Sequence, residues 1–230
     1  MSFWSWSGFF DYLVNPFILG GVLITIWLTA VSLVFGLMLG LLIALMRRSR
    51  LRPVRSLGAF YVWLFRGTPL LVQLIVIYTA LPQMGIRFSV VQAALIGLAL
   101  NEAAYLAEII RAGIQAVPDG QSRAARALGM TERQIMRHIV MPQAFKVIIP
   151  PLGNSVNGLL KTTSVTSVIS MEELLRRTQV LIQEKFMVLE LFAVAALYYL
   201  LLTSVWDFVQ RRIERRFGQS TAVASLTEKR

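Results

Sequence analysis

The sequence contains no cysteine, one histidine and only 12 acidic residues among 230. Without cysteine the chain forms no disulfides and has no thiol chemistry. The single histidine, His138, is more typical of a solvated side chain than of a catalyst or metal ligand. Paired carboxylates and histidine clusters, which a membrane-embedded enzyme would use, are also missing. We therefore predict no catalytic residues and no metal site on this chain.

Charge is absent from two long runs, residues 12–46 and 67–86, and 56% of all residues are hydrophobic. Crossing a hydrocarbon core of about 30 Å takes about 20 apolar helical residues, so each run is long enough to span a bilayer. The runs are rich in Leu and Ala and lack strand-like alternation, which favours helices. The sequence predicts an all-α integral membrane protein with five transmembrane helices, at residues 16–46, 59–81, 88–110, 147–170 and 189–209.

The distribution of basic residues predicts the orientation of these helices. No Lys or Arg precedes Arg47, and several follow it at once. Because Lys and Arg concentrate in cytoplasmic loops, the N-terminus is expected outside and, after five crossings, the C-terminus inside. The basic residues of 47–66, 111–146 and 211–230 then all lie inside. This bias accounts for the net charge of +11 without a nucleic-acid partner.

The crossings suggest one transmembrane domain over residues 1–217, followed by a disordered polar tail at 218–230. Gly36 and Gly40 form a small-xxx-small pair in the first predicted helix, a pattern that can mark close helix packing. Residues 171–190 are amphipathic, and we expect them to form a helix at or near the outer face.

Residues 111–146 form a charged, helix-forming insert between the third and fourth apolar segments. Its helix-breaking and capping residues predict a first helix over 121–128, which Gly129 ends in the left-handed conformation. A second helix begins at Thr131, where Gln134 completes a capping box. Pro142 is expected to stop regular structure before the fourth membrane segment.

The first insert helix carries the small apolar side chains Ala124, Ala125 and Leu128, flanked by Arg123 and Arg126. We expect these apolar residues to form one face that lies in a groove of a partner protein. A cytoplasmic helical knob of this kind, residues 111–146, predicts docking to another protein.

The insert, with Ala124-Ala125, Gly129, Ile139 and Pro142, resembles the cytoplasmic signature of the permease subunits of ATP-binding-cassette (ABC) importers. Three further stretches resemble the branch that imports polar and charged amino acids: FRGTPLLVQ at 65–73, AAYLAEIIRAGIQAVPDGQ at 103–121 and NSVNGLLKTTSVTSVIS at 154–170. The resemblance covers residues 19–210. Two positions depart from it, since Arg123 stands where relatives usually carry an acid and Thr162 where many carry Asp.

The resemblance implies that the insert couples the chain to ATPases in the bacterial inner membrane. The expected coupling residues are Gly120, Arg123, Ala124, Ala125, Leu128, Gly129 and Pro142. Its implied partners are two ATP-binding subunits, a second permease subunit, identical or homologous, a periplasmic or lipid-anchored amino-acid-binding protein, and membrane lipid. ATP and Mg would bind the ATPase. On this chain Gly153 and Gly158 have the spacing of a phosphate-binding loop, but Leu159 stands where that loop requires Lys. We therefore expect no nucleotide site on this chain.

Ionisable residues within the apolar segments are the candidates for a substrate pathway, because a charge in a bilayer must face protein or water. These candidates, with neighbouring hydroxyl-bearing side chains, are Glu102, Tyr105, Lys161, Thr162, Thr163 and Ser164. Lys161 and Glu102 could contact the two charges of an amino acid or could pair with each other. The leading hypothesis is an ATP-driven amino-acid importer subunit. The alternative is a self-sufficient channel or ion-coupled carrier for a small polar solute.

Overall fold

The computed structural model describes residues 4–217, and all the regular structure within that range is helical. The ten α-helices are α1 (Trp6–Leu13), α2 (Pro16–Arg47), α3 (Arg52–Gly67), α4 (Leu70–Ile75), α5 (Val90–Gln115), α6 (Asp119–Ala127), α7 (Glu132–Ile135), α8 (Met141–Thr162), α9 (Leu174–Lys185) and α10 (Val188–Phe217). The polar tail predicted at 218–230 lies outside the described residues.

The longest helix, α2, packs along α5 through its small residues. A Cβ atom added at Gly40 would lie 3.0 Å from the backbone oxygen of Ala103, and one at Gly36 would lie 3.2 Å from Cγ of Glu102. The two helix backbones can therefore approach closely only because these positions lack side chains. The packing contact predicted for Gly36 and Gly40 is confirmed.

The second predicted span, 59–81, is not one straight helix. Helix α3 ends at Gly67, and the segment that begins with α4 and continues to Met84 turns from it by 102°. Thr68 is extended, with φ −119° and ψ 144°, because the ring of Pro69 disfavours the helical conformation at the preceding residue. The prediction of one continuous helix over 59–81 is therefore wrong.

Pro142 does not stop the helix that leads into the fourth predicted segment. Helix α7 passes through a π-helical turn, Met136–Val140, directly into α8, with Pro142 in the first turn of α8. The Met141 N–H bonds to the oxygen of Met136, five residues back, so the backbone widens just before the proline. This widening accommodates a ring that would clash with a regular helical turn. The prediction of a break at Pro142 is therefore wrong.

The amphipathic segment forms helix α9, which packs between α2 and α10 with Leu174, Thr178 and Leu181 buried. Glu173 caps this helix: its carboxylate accepts the N–H groups of Leu175 and Arg176 and the hydroxyl of Tyr199 on α10. Burial raises the pKa of the Glu173 carboxyl, and these hydrogen bonds oppose that rise. The cap joins α9 to α10.

By length and composition, three helices within residues 4–217 could cross a membrane: α2, α5 and α10. The bent pair from Arg52 to Met84 makes a fourth if it is counted as one span. Helix α8 has two internal prolines, Pro150 and Pro151, and it packs between α5 and α10. The chain is therefore an all-helical membrane protein, and a fifth crossing through α8 stays a prediction.

Candidate functional site

A cavity of about 570 Å³ opens where the break between α3 and α4 faces α5 and α8. Its lining combines residues of the turn between α3 and α4 with polar and charged side chains. The lining residues are Arg66, Gly67, Thr68, Pro69, Leu70, Asn101, Glu102, Tyr105, Ser155, Gly158, Leu159 and Thr162. Interrupted helix within a membrane protein is tolerated where it lines a cavity, because freed backbone groups can be satisfied there.

Side-chain amides satisfy the backbone carbonyls that the helix break exposes. Gln73 donates from Nε2 to the oxygens of Phe65 and Thr68, at 3.0 and 3.1 Å. Asn101 on α5 donates from Nδ2 to the same Phe65 oxygen at 3.2 Å and to Oε1 of Gln73 at 3.1 Å. The break is therefore fixed to α5 by hydrogen bonds, and the cavity wall is preorganised.

The acidic wall of the cavity is Glu102, whose side chain is buried between α2 and α8. The hydroxyl of Ser155 on α8 donates a hydrogen bond to Oε1 of Glu102. One helical turn away, a Cβ added to Gly158 would meet no atom within 4 Å, so the cavity extends to the α8 backbone. These contacts place a carboxylate where it can accept a bond from a positively charged solute group.

The basic wall of the cavity is Arg66, at the end of α3. Its guanidinium lies 5.2 Å from the ring centroid of Tyr105, a cation–π arrangement. The same guanidinium is 3.9 Å from the carboxylate of Glu108, at the long limit for an ion pair. Arg66 is therefore loosely held and can reach an anionic group in the cavity.

The structure brings only half of the sequence-predicted pathway residues to this cavity. Glu102, Tyr105 and Thr162 line it. The three others, Lys161, Thr163 and Ser164, are absent from the lining. The Thr163 and Ser164 hydroxyls donate to backbone oxygens of α8 instead.

The alternative of a pair between Lys161 and Glu102 is wrong, because Glu102 bonds to Ser155 and no carboxylate between residues 4 and 217 lies within ion-pair distance of Lys161. Lys161 is exposed on α8, although it lies between the cavity-lining residues Leu159 and Thr162. Spacing along a helix places successive residues about 100° apart, so neighbours in sequence face different directions.

Asn101, Ser155 and Arg66 were not among the residues predicted for the pathway from the sequence. The signal for Arg66 was its position directly before Gly-Thr-Pro, a sequence that interrupts a helix. A polar residue four positions after that proline, Gln73, could have indicated that the exposed carbonyls need a donor.

The predicted knob exists, with α6 running over Asp119–Ala127 rather than 121–128. Gly129 has φ +82° and ends it in the left-handed conformation, as predicted. The Thr131–Gln134 capping box begins α7, also as predicted. Ala125, Ile135 and the α5 and α8 residues around them form the knob's own apolar core.

The expected apolar docking face, however, is divided. Ala125 is buried in the knob core, whereas Ala124 is exposed and Leu128 is 83% exposed. Consecutive alanines on a helix cannot share one face, so the outward surface consists of Ala124 and Leu128 with Gly120 and Arg123 beside them. Ala125 belongs to the knob's apolar core rather than to that surface, and Pro142 is exposed in the first turn of α8.

The two arginines that flank the alanine pair differ. Arg126 forms an ion pair with Glu132 at 2.7 Å, which ties α6 to α7. Arg123 is exposed and makes no ion pair within the part of the chain that the structure describes. Arg123 therefore takes no part in the ion pair that joins the two knob helices.

Residues 36–219 match the family described as the binding-protein-dependent transport system inner membrane component. The chain belongs to this family. Members are inner-membrane, multi-pass permease subunits that work with an ATPase and a binding protein, so this chain is a transport permease and not itself an ATPase. The family assignment also decides the function in favour of the importer and against the self-sufficient channel or carrier.

The L-cystine transport system permease protein TcyB of Bacillus subtilis is 40% identical over 208 residues, covering 90% of this chain and 89% of that protein. The arginine transport system permease protein ArtQ of the same species is 39% identical over 202 residues, covering 87% and 92%. The crystal structure of an amino acid ABC transporter with histidines matches with a TM-score of 0.88 at 38% identity, covering 93% of this chain and 99% of that chain.

The inward-facing MetNI methionine ABC transporter matches with a TM-score of 0.72 at 21% identity, covering 87% of this chain and 96% of that chain. At this identity the likeness concerns the fold alone. The overall helical fold is therefore shared with that transporter.

Proposed function

We propose that this chain is the transmembrane subunit of an ATP-driven importer for a polar or charged amino acid. The observation that carries the proposal is the cavity that holds Glu102 on one wall and Arg66 on another. Every amino acid carries an ammonium and a carboxylate group, and Glu102 and Arg66 carry the opposite charges needed to bind them. Relatives named for cystine and arginine transport support the same substrate class.

In the proposed topology the chain crosses the inner membrane five times, with the N-terminus outside and the C-terminus inside. The crossings are α2, the bent α3–α4 pair, α5, α8 with its 3₁₀ extension Thr163–Ile169, and α10. Helix α8 is the one of these crossings that does not qualify as a span by length and composition, and one of its backbone oxygens has a protein partner: Trp206 on α10 donates to the Gly153 oxygen at 2.8 Å. Polar groups satisfied by neighbouring helices are compatible with a membrane position.

In this topology the knob faces the cytoplasm, and its outward surface, Ala124 and Leu128, docks into a groove of a separate ATPase. A fully assembled importer would hold two permease subunits and two ATPases, with a binding protein delivering the amino acid outside. ATP and Mg would bind the ATPases, whose closure moves the docked knobs and switches the cavity between inward- and outward-facing states.

The test is ATP hydrolysis by the reconstituted complex in lipid nanodiscs. The complex contains this chain, its ATPase and its binding protein, and a panel of basic, acidic and neutral amino acids is added in turn. We expect stimulation by one charge class. A complex that assembles and hydrolyses ATP, but that no amino acid on the panel stimulates, would count against the substrate class. Failure of any ATPase to associate would count against the docking role of the knob.

A further inference from the structure

One carboxylate, Glu108 on α5, is surrounded by three guanidinium groups. Arg47 at the end of α2 contacts it directly, Arg111 lies 2.8 Å away and Arg66 lies 3.9 Å away. No other carboxylate in residues 4–217 lies within ion-pair distance of any of these arginines. Partly buried like charges destabilise one another unless a counter-charge is supplied. This cluster therefore has an unbalanced positive charge.

A recess of about 410 Å³ adjoins this cluster, between the end of α2 and the beginning of the knob. Arg111, which is shared with the cluster, and Arg48 line it. Ser122 adds a hydroxyl, and Asp119 is the carboxylate in the lining. Arg111 also donates to Gln115, a further lining residue, at 2.5 Å. The recess thus presents two guanidinium groups and hydrogen-bonding groups to an anion.

An exposed apolar strip of α2 leads to the recess. Met38, Leu41, Leu45 and Arg48 follow one another at intervals of three or four residues and so share a helix face. Met38, Leu41 and Leu45 are 66%, 46% and 56% exposed. Ten residues of helix span about 15 Å, which is half the thickness of a hydrocarbon core. The strip is therefore as long as one leaflet and ends at a guanidinium group.

We propose that the recess binds the phosphate of an anionic phospholipid from the cytoplasmic leaflet, with an acyl chain along the Met38–Leu45 strip. Arg48 and Arg111 hold the phosphate, and the bound charge offsets the surplus around Glu108. Basic pockets between helices at the cytoplasmic boundary are suited to anionic headgroups. A free phosphate would neutralise the guanidinium charges but would make no contact with the apolar strip. The proposal rests on the proposed topology only in naming the leaflet.

The experiment is native mass spectrometry of the intact importer complex, titrated with phosphatidylglycerol and with phosphatidylcholine as the uncharged-headgroup comparison. Arg48→Gln is the decisive variant, because Arg48 is exposed and has no ion pair in residues 4–217. Arg50→Gln is its matched control: Arg50 is also exposed, lies two residues away and does not line the recess. Leu41→Gln tests the apolar strip.

We expect Arg48→Gln to weaken phosphatidylglycerol binding about fivefold, with Arg50→Gln near wild type. Leu41→Gln should weaken it as well, and inorganic phosphate or glycerol 3-phosphate should not displace the lipid at matched concentration. Equal binding by Arg48→Gln and Arg50→Gln would overturn the proposal. Displacement by inorganic phosphate would identify a soluble anion instead, and absence of bound phosphatidylglycerol from the assembled complex would also overturn the proposal. Binding is measured without amino acid, so none of these outcomes bears on the transport function.

Discussion

The hydroxyl of Ser155 on α8 donates a hydrogen bond to the carboxylate of Glu102 on α5. This bond joins two helices at the wall of the cavity, and it leaves the carboxylate able to accept a further bond from a solute. A conformational switch that moves α8 relative to α5 would break or lengthen it. A change in the shape of the cavity would therefore alter the hydrogen bonding of its Glu102 carboxylate.

Glu102→Gln should raise about tenfold the amino-acid concentration that half-maximally stimulates ATP hydrolysis, since it removes a charge-assisted hydrogen bond to the amino acid. The substituted amide keeps the volume and can still accept the Ser155 hydroxyl, so assembly should be retained. The measurement is a titration of substrate against ATP hydrolysis in nanodiscs. Ser155→Ala, which leaves the charge, is the matched control and should shift the titration less. An unchanged titration for Glu102→Gln would remove this residue from the pathway.

Arg66→Gln should lower amino-acid uptake strongly, whereas Lys161→Gln should leave it near wild type. Arg66 lines the cavity, and Lys161 is exposed on α8. Both substitutions remove one positive charge, so the pair separates position from net charge. Uptake of radiolabelled amino acid into proteoliposomes measures the difference. The reverse ranking would restore Lys161 as the pathway cation and refute the assignment of Arg66.

Leu128→Ser should weaken association with the ATPase about tenfold, because it removes an apolar side chain that becomes buried on docking. Leu128 is 83% exposed in the chain alone, so its loss should not change the thermal stability of the permease. Co-purification of the ATPase at graded detergent stringency and the Tm of the isolated permease give the two readouts. Ala125→Ser is the contrast, since Ala125 lies in the knob core and should lower Tm. Normal association by Leu128→Ser would count against a docking surface at this residue.

Gly129→Asp should disrupt association with the ATPase, because it places a carboxylate at the end of the docking helix in a left-handed conformation. Asp, like Asn, tolerates that conformation better than other non-glycine residues, so the expected loss comes from the added charge. Gly129→Asn is the matched control: Asn tolerates the same conformation and adds no charge. A Cβ at Gly129 meets no atom within 4 Å, so neither variant creates a clash inside the knob. Wild-type association and transport by Gly129→Asp would contradict the docking assignment.

Gly21→Ala should destabilise the helix bundle by about 1–3 kcal/mol, the usual effect of overpacking. A Cβ at this position would lie 2.9 Å from Cα of Leu174, a backbone atom that cannot rotate away. Gly67→Ala is the control, since a Cβ there meets nothing within 4 Å. Thermal unfolding in one detergent, monitored by circular dichroism, compares them. A Tm for Gly21→Ala equal to that of Gly67→Ala would mean that α2 and α9 pack less closely than described.

The sequence alone was sufficient for the features that depend on local chemistry. Uncharged runs predicted a helical membrane protein, because backbone groups in lipid must be satisfied within the helix. Gly129 and the Thr131–Gln134 pair predicted the ends of the knob helices, since left-handed backbone and capping are decided by a few adjacent residues. The motifs spread over 65–170 indicated the transport family for the same reason: they are contiguous stretches of sequence.

Tertiary structure decided which of the polar residues act together. Lys161 and Glu102 are both charges in apolar segments, yet only Glu102 faces the cavity, because the rotation of a helix about its axis is set by packing against its neighbours. Likewise, Ala124 and Ala125 are adjacent in sequence, but one is exposed and the other is buried. The exposed carbonyls of the bend after Gly67 are satisfied in part by Asn101 on α5, and the helix continues through Pro142 because a π-helical turn precedes it. Sequence therefore specified a helical membrane protein and the caps of the knob helices, and packing between helices selected the cavity's charges.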